Sequence, residues 1–82
     1  MKVKLSPYVC YRYESKIYGG KTFIFQLDYG KIYLSDYDAY RILEFIDFCH
    51  PEIDNLCSKF SSLDIQTFIR TMEQREVISY EC

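Results

Sequence analysis

One change of hydrophobic period, at Ser35, constrains this chain more than any other feature. Before it, apolar side chains alternate in the two-residue rhythm of a strand. After it, they recur every three or four residues, as on one face of a helix. A chain with strands first and helices afterwards belongs to the α+β class, with helices segregated to one side of an antiparallel sheet.

The strand half resolves into segments. Tyr8 to Tyr13 is a β-prone run. Lys16-Ile17-Tyr18 then meets Gly19-Gly20, a two-residue hairpin signal. From Thr22 to Leu27 the side chains alternate, with Phe23, Phe25 and Leu27 on one face and Ile24 and Gln26 on the other. Asp28-Tyr29-Gly30 is turn chemistry, Gly30 being free to take positive φ. Lys31 to Leu34 alternates again, so residues 22–27 and 31–34 are predicted to pair as a hairpin.

The helical half opens at Ser35-Asp36-Tyr37-Asp38, which resembles a capping box. Ala39, Ile42, Leu43 and Ile46 form the first apolar stripe. Cys49-His50-Pro51 ends that helix, because the residue before proline avoids the helical region. Pro51 suits the first position of a second helix, with Glu52 and Asp54 near its positive end and Ile53, Leu56, Cys57 and Phe60 as its stripe. After Ser61-Ser62, a third stripe runs through Ile65, Phe68, Ile69 and Met72. Val77 to Tyr80 is a short apolar tail suited to dock as a strand or wing. The expected fold is α+β: an N-terminal three-stranded antiparallel sheet (strands about 7–35), then a winged-helix-like bundle of three helices (about 36–76). All 82 residues are expected to form one peptide-binding domain.

Charge divides at the same boundary. Residues 1–34 carry six Lys and Arg against Glu14 and Asp28; residues 35–82 carry four basic and ten acidic side chains. The net charge of −2 gives no basic footprint for nucleic acid as a whole. No run approaches the ~20 apolar residues of a membrane span, and the first residues are not expected to act as a secretory signal. Cys10, Cys49, Cys57 and Cys82 are scattered without a Cys-x-x-Cys pair, as befits reduced thiols in a cytoplasm; Cys57 is expected buried, and Cys82 reactive only through exposure. Nine tyrosines and no tryptophan favour half-buried surfaces, where an amphipathic ring suits both core and partner.

Catalytic chemistry finds little to stand on. The single histidine, His50, has only Cys49 as a chain neighbour, and three glycines form no phosphate-cradling loop. Asp36, Asp38, Glu52 and Asp54 stand at helix starts, where the dipole accounts for them. The expectation is a non-enzyme without cofactor or metal. The stripe of the third helix leaves Thr67, Arg70, Thr71, Gln74 and Arg75 on its flanks, either as a solvated face or as the wall of a groove for an acidic partner.

The order of elements resembles the PqqD-like family, the peptide-recognition domains of ribosomal peptide modification. The residues carrying the likeness are Phe23-Ile24-Phe25, Asp28-Tyr29-Gly30 and Ile32-Tyr33-Leu34-Ser35, then Asp38 to Leu43, then Asp64 to Ile69 with Met72 and Val77-Ile78. The chain departs from that family's pattern at Ser35 and at Cys49-His50-Pro51. The resemblance implies a non-enzymatic domain that binds the leader of a precursor peptide as an added strand and delivers it to a maturation enzyme: a protease, a cyclase or a radical enzyme. It implies a peptide-binding edge at Lys31, Ile32, Tyr33 and Leu34, and a helix wall from Phe68, Thr71, Met72 and Arg75. Two other readings stay open: a winged-helix DNA-binding regulator, and a small viral or plasmid inhibitor of protein interactions. Against the former, Glu73 and Glu76 interleave with Arg70 and Arg75 on the third helix.

Overall fold

The computed structural model describes residues 1–81 and is α+β. Five strands and three helices follow in the order β1 (Lys2–Leu5), β2 (Val9–Glu14), β3 (Lys21–Gln26), β4 (Lys31–Ser35), α1 (Tyr37–Cys49), α2 (Ile53–Lys59), α3 (Ile65–Gln74) and β5 (Ile78–Glu81). The strands form two antiparallel sheets, β2-β3-β4 and β1-β5.

The second sheet corrects the expected architecture. The chain does not finish its strands before starting its helices: β1 pairs with β5, with Val3 opposite Tyr80 and Leu5 opposite Ile78. Lys2 and Lys4 flank Val3 in a segment too short to read as a strand, and its partner lies at the other end of the sequence. Val3, Val77 and Ile78 are core residues, so hydrophobic burial rather than local propensity holds this sheet.

Two further boundaries differ from expectation. The β2–β3 connection is a six-residue loop, not a two-residue turn, and Lys16-Ile17-Tyr18 lie within it. Gly20 ends the loop at φ +104°, and a Cβ there would collide with the Tyr13 hydroxyl. Pro51 stands before α2 rather than inside it. Its carbonyl accepts from the Val3 amide at 2.8 Å, which binds β1 to the α1–α2 junction.

Helix α1 is capped one residue later than its sequence suggests. Ser35 still pairs with Thr22 in the sheet, so Asp36 caps, its Oδ1 accepting from the Ala39 amide at 3.0 Å. His50 ends the helix in the left-handed region at φ 45°. Ala39, Ile42, Leu43 and Ile46 are buried as their spacing requires, packing on the inner face of the sheet with Leu56, Ile65, Ile69 and Met72 from the other helices. Cys57 is half-buried against this core, while Cys10 and Cys49 are exposed. Cys82 lies outside the described residues.

Alternation defined two faces for the sheet without saying which is inside. The helices cover the less apolar one, Thr22, Ile24 and Gln26, and leave Phe23 and Phe25 on the outer side. Both buried polar groups are satisfied. Thr22 Oγ1 donates to the Asp36 carbonyl at 2.7 Å; Gln26 Nε2 donates to the Glu76 carbonyl at 2.8 Å, and its Oε1 accepts from the Asp28 amide at 3.0 Å.

Tyr11 and Tyr13 extend from the inner face of β2 and meet Tyr37 and Tyr40 of α1, with Tyr13 and Tyr37 ring centres 4.8 Å apart. The Tyr11 hydroxyl donates to Asp47 at 3.0 Å, and burial together with that carboxylate pushes its pKa up. Tyr8, in contrast, is exposed. No helix among the described residues is long and apolar enough to cross a membrane.

Candidate functional site: an open strand edge beside the third helix

Strand β4 ends its sheet. It pairs with β3 from Lys31 opposite Gln26 to Ser35 opposite Thr22. Among the described residues, no other strand and no loop backbone bonds to its far side. A strand edge of this kind presents a row of unpaired N–H and C=O groups that can template another strand.

The position of α3 determines what lies beside that edge. Ile65, Ile69 and Met72 form its buried face. At 100° per residue, Phe68, Thr71 and Arg75 share one flank of that face, and Gln66, Arg70 and Glu73 share the other. The first flank turns toward β4, because the Arg75 guanidinium lies 4.6 Å from the centre of the Tyr33 ring. The second turns toward α2 and β5, where Gln66, Arg70 and Glu73 border a shallow depression of about 270 Å³ with Ile53 and Tyr80.

The turn after α3 reaches back to β3 and to the β3–β4 turn. Glu76 takes φ 58°, and its carbonyl accepts from Gln26. Its carboxylate stands beside the Tyr29 hydroxyl and raises that phenol's pKa. The β3–β4 turn and the end of α3 are thus joined, so the open strand edge and the helix flank keep a fixed relation.

The residues expected from the sequence fall into three groups. Tyr33 and Arg75 are brought into contact, and half-buried Phe68 and Thr71 share Arg75's flank. Lys31, Ile32 and Leu34 supply main chain to the edge, but the side chains of Ile32 and Leu34 point to the outer face, away from α3, and are 62% and 54% exposed. Met72 is not a wall residue: its side chain is 2% exposed and belongs to the core, because its helical position coincides with Ile65 and Ile69. Gln26, Tyr29 and Glu76 were missed. The one available signal was a glutamine alternating with Ile24 on a strand face, which marks a buried amide in need of partners.

The sheet has a second edge at β2, and its surroundings differ in charge. On the helix side of β2, Tyr11 bonds Asp47 and Tyr40 bonds Glu44, so carboxylates line that side. The β4 side offers Arg75 and Lys31, with the Glu76 carboxylate at the Tyr29 end.

His50 Nδ1 lies 3.2 Å from Glu81 Oε1 on the surface of the β1-β5 side. Among the described residues, no cluster of His, Cys, Asp or Glu is arranged to hold a metal ion. No family model, curated protein or solved structure matches the chain.

Proposed function

We propose that this protein binds the leader segment of a ribosomally made precursor peptide by strand addition to β4 and presents it to a modifying enzyme or protease. The observation that carries the reading is the unpaired edge of Lys31–Ser35 running beside the Phe68-Thr71-Arg75 flank of α3. Main-chain hydrogen bonds supply register, and alternate guest side chains meet the helix flank on one face of the extended sheet. Arg75 and the basic first half of the chain favour an acidic guest.

On this reading the domain is PqqD-like, its β2-β3-β4 sheet and β1-β5 pair packed with three helices, and works as a non-enzymatic adaptor in the cytoplasm. It uses no cofactor, nucleic acid or membrane. The interface is small, below ~1,200 Å² in total, which suits micromolar to high nanomolar affinity and a partner that must be released after modification.

The test is a titration of the labelled protein with an unstructured acidic leader-type peptide, followed by amide chemical shifts. The expected result is a set of shifts confined to β4 and the Phe68–Arg75 flank, with new slow-exchanging amides on the far side of β4. Shifts confined to the β2 edge would overturn the assignment. Salt-sensitive binding of duplex DNA in place of the peptide would replace it with the regulator reading.

A further inference from the structure

The face of the three-stranded sheet turned away from the helices is apolar and bare. Phe23 and Phe25 stack along β3 with ring centres 6.4 Å apart and planes 16° apart. Across the register lie Leu34 and Ile32 of β4 on one side and Arg12 and Cys10 of β2 on the other. Ile17, from the β2–β3 loop, borders a shallow dish with Phe23, Phe25, Arg12 and Glu14. None of these side chains belongs to the core or its packed fringe. Ile17, Ile32 and Leu34 are 39%, 62% and 54% exposed, and with the half-buried phenylalanines they make a patch on the order of 400 Å², within the roughly 300–600 Å² of the largest patch on an ordinary monomer, where such patches are often functional.

We infer that this face docks a second protein, one that presents an apolar patch bordered by aspartate and glutamate. The rim selects the charge. Arg12 and Lys21 project on this face and Lys16 stands in the adjoining loop, against Glu14 alone, which pairs with Arg12. A second copy of the chain fits poorly. A two-fold contact sets the patch on itself, so a basic rim meets a partner face whose one nearby carboxylate, Glu14, is already paired with Arg12. Its area is also about half of the ~800 Å² per partner that a stable interface needs, so a copy would have to add contacts between like-charged rims. An anionic bilayer fits poorly as well, because the rim holds three cations, one of them (Arg12) already paired with Glu14, short of the roughly four to eight basic side chains that hold a surface to anionic lipid. An acidic-rimmed protein surface meets both parts of the face, apolar at the centre and charged at the margin. The surface stands independently of the β4 edge, since it uses side chains above the sheet rather than main chain at its border.

The experiment uses the isotope-labelled full chain and two synthetic amphipathic helical peptides sharing one leucine face, one with glutamates and one with lysines on the polar side. The glutamate peptide should shift the amides of residues 10–12, 23–25 and 32–34, and the lysine twin should bind at least tenfold more weakly. Phe25→Glu should weaken the glutamate peptide at least tenfold. Arg12→Glu, at a largely exposed position where folding is not at stake, should narrow the preference between the twins. Equal binding of the twins, shifts confined to the helices, or no shifts would overturn the inference. So would a concentration-dependent dimer in sedimentation that Phe25→Glu abolishes, or a preference for phosphatidylglycerol vesicles over the glutamate peptide. Loss of peptide binding at the β4 edge with these outcomes intact would instead count only against the leader-binding proposal.

Discussion

Proline substitution at the β4 edge tests the strand-addition mechanism through geometry alone. In an antiparallel edge strand, successive residues point their N–H groups alternately toward the neighbouring strand and away from it. Of Tyr33 and Leu34, therefore, one directs its N–H at β3 and the other at the open side. Proline at the outward position removes a donor offered to the guest while sparing the β3–β4 ladder; proline at the inward position breaks that ladder. The first change leaves a guest carbonyl facing carbon, a loss of about 1–3 kcal/mol. At about 1.4 kcal/mol per factor of ten, affinity falls roughly 5- to 150-fold while the thermal midpoint moves little. The inward proline lowers the midpoint first, and any binding loss follows from unfolding. Tyr33→Val separates backbone from side chain, since it retains the N–H and discards the ring under Arg75.

Fluorescence anisotropy with a labelled acidic leader peptide reads the affinity, and circular dichroism melting reads the fold. The expected pattern is asymmetric: one proline variant folded and weak in binding, the other destabilised. Two folded proline variants that both bind with wild-type affinity would refute strand addition at β4, whatever the peptide used.

Three other outcomes follow from the same geometry. Arg75→Glu should slow association with an acidic peptide at low ionic strength, and stopped-flow rates that stay unchanged at 20 mM salt would remove Arg75 from the steering surface. Gln26→Leu strands the Glu76 carbonyl and the Asp28 amide, costing about 1–3 kcal/mol, which urea denaturation would register as a midpoint lowered by roughly 1 M or more. Asp64→Ala removes the cap of α3; in the native protein the Thr67 hydroxyl and then the Thr67 amide hold the Asp64 carboxyl below its ordinary value. Because the folded pKa is depressed, the cap stabilises above the unfolded carboxyl's pKa of about 3.9, and that stabilisation disappears as pH falls through the folded value. The thermal midpoints of Asp64→Ala and wild type should therefore differ at pH 6 and converge toward pH 2; a constant difference would show that the carboxylate charge is irrelevant.

How much of this was legible in the sequence depends on the range of the cause. The stripe Ala39, Ile42, Leu43 and Ile46 is a local pattern with a local reading, and all four are buried. The hairpin around Asp28-Tyr29-Gly30 is equally local, and its strands pair in register. The β1-β5 sheet was hidden because its two short segments stabilise each other only after α1 to α3 have brought them together. Cap placement failed at Ser35 for a related reason: the serine satisfies a helix signal and a sheet register at once, and the register prevailed. Edge exposure at β4 is a property of sheet order, which no single strand encodes. Met72 shows the limit of stripe reasoning, since the same periodicity that marks a groove wall also marks a core residue.

The sheet turns Phe23 and Phe25 outward and Gln26 inward. Ile24 and Thr22 are β-branched and lie flat against α1, whereas two phenylalanines would demand a wider gap between sheet and helix. Gln26 gains more than packing from the inner face, because only there can its amide reach Glu76 and hold the end of α3 to the β3–β4 turn. That attachment fixes the flank of α3 beside the β4 edge, and the same choice of face forces the phenylalanines outward. The two proposed surfaces thus share one origin in the pleat of β3. They also use β4 differently: a guest strand bonds in the plane of the sheet, and a docked protein covers Ile32 and Leu34 above it. A guest added to β4 therefore extends the outer face by one strand instead of obstructing it, which permits both occupants at once.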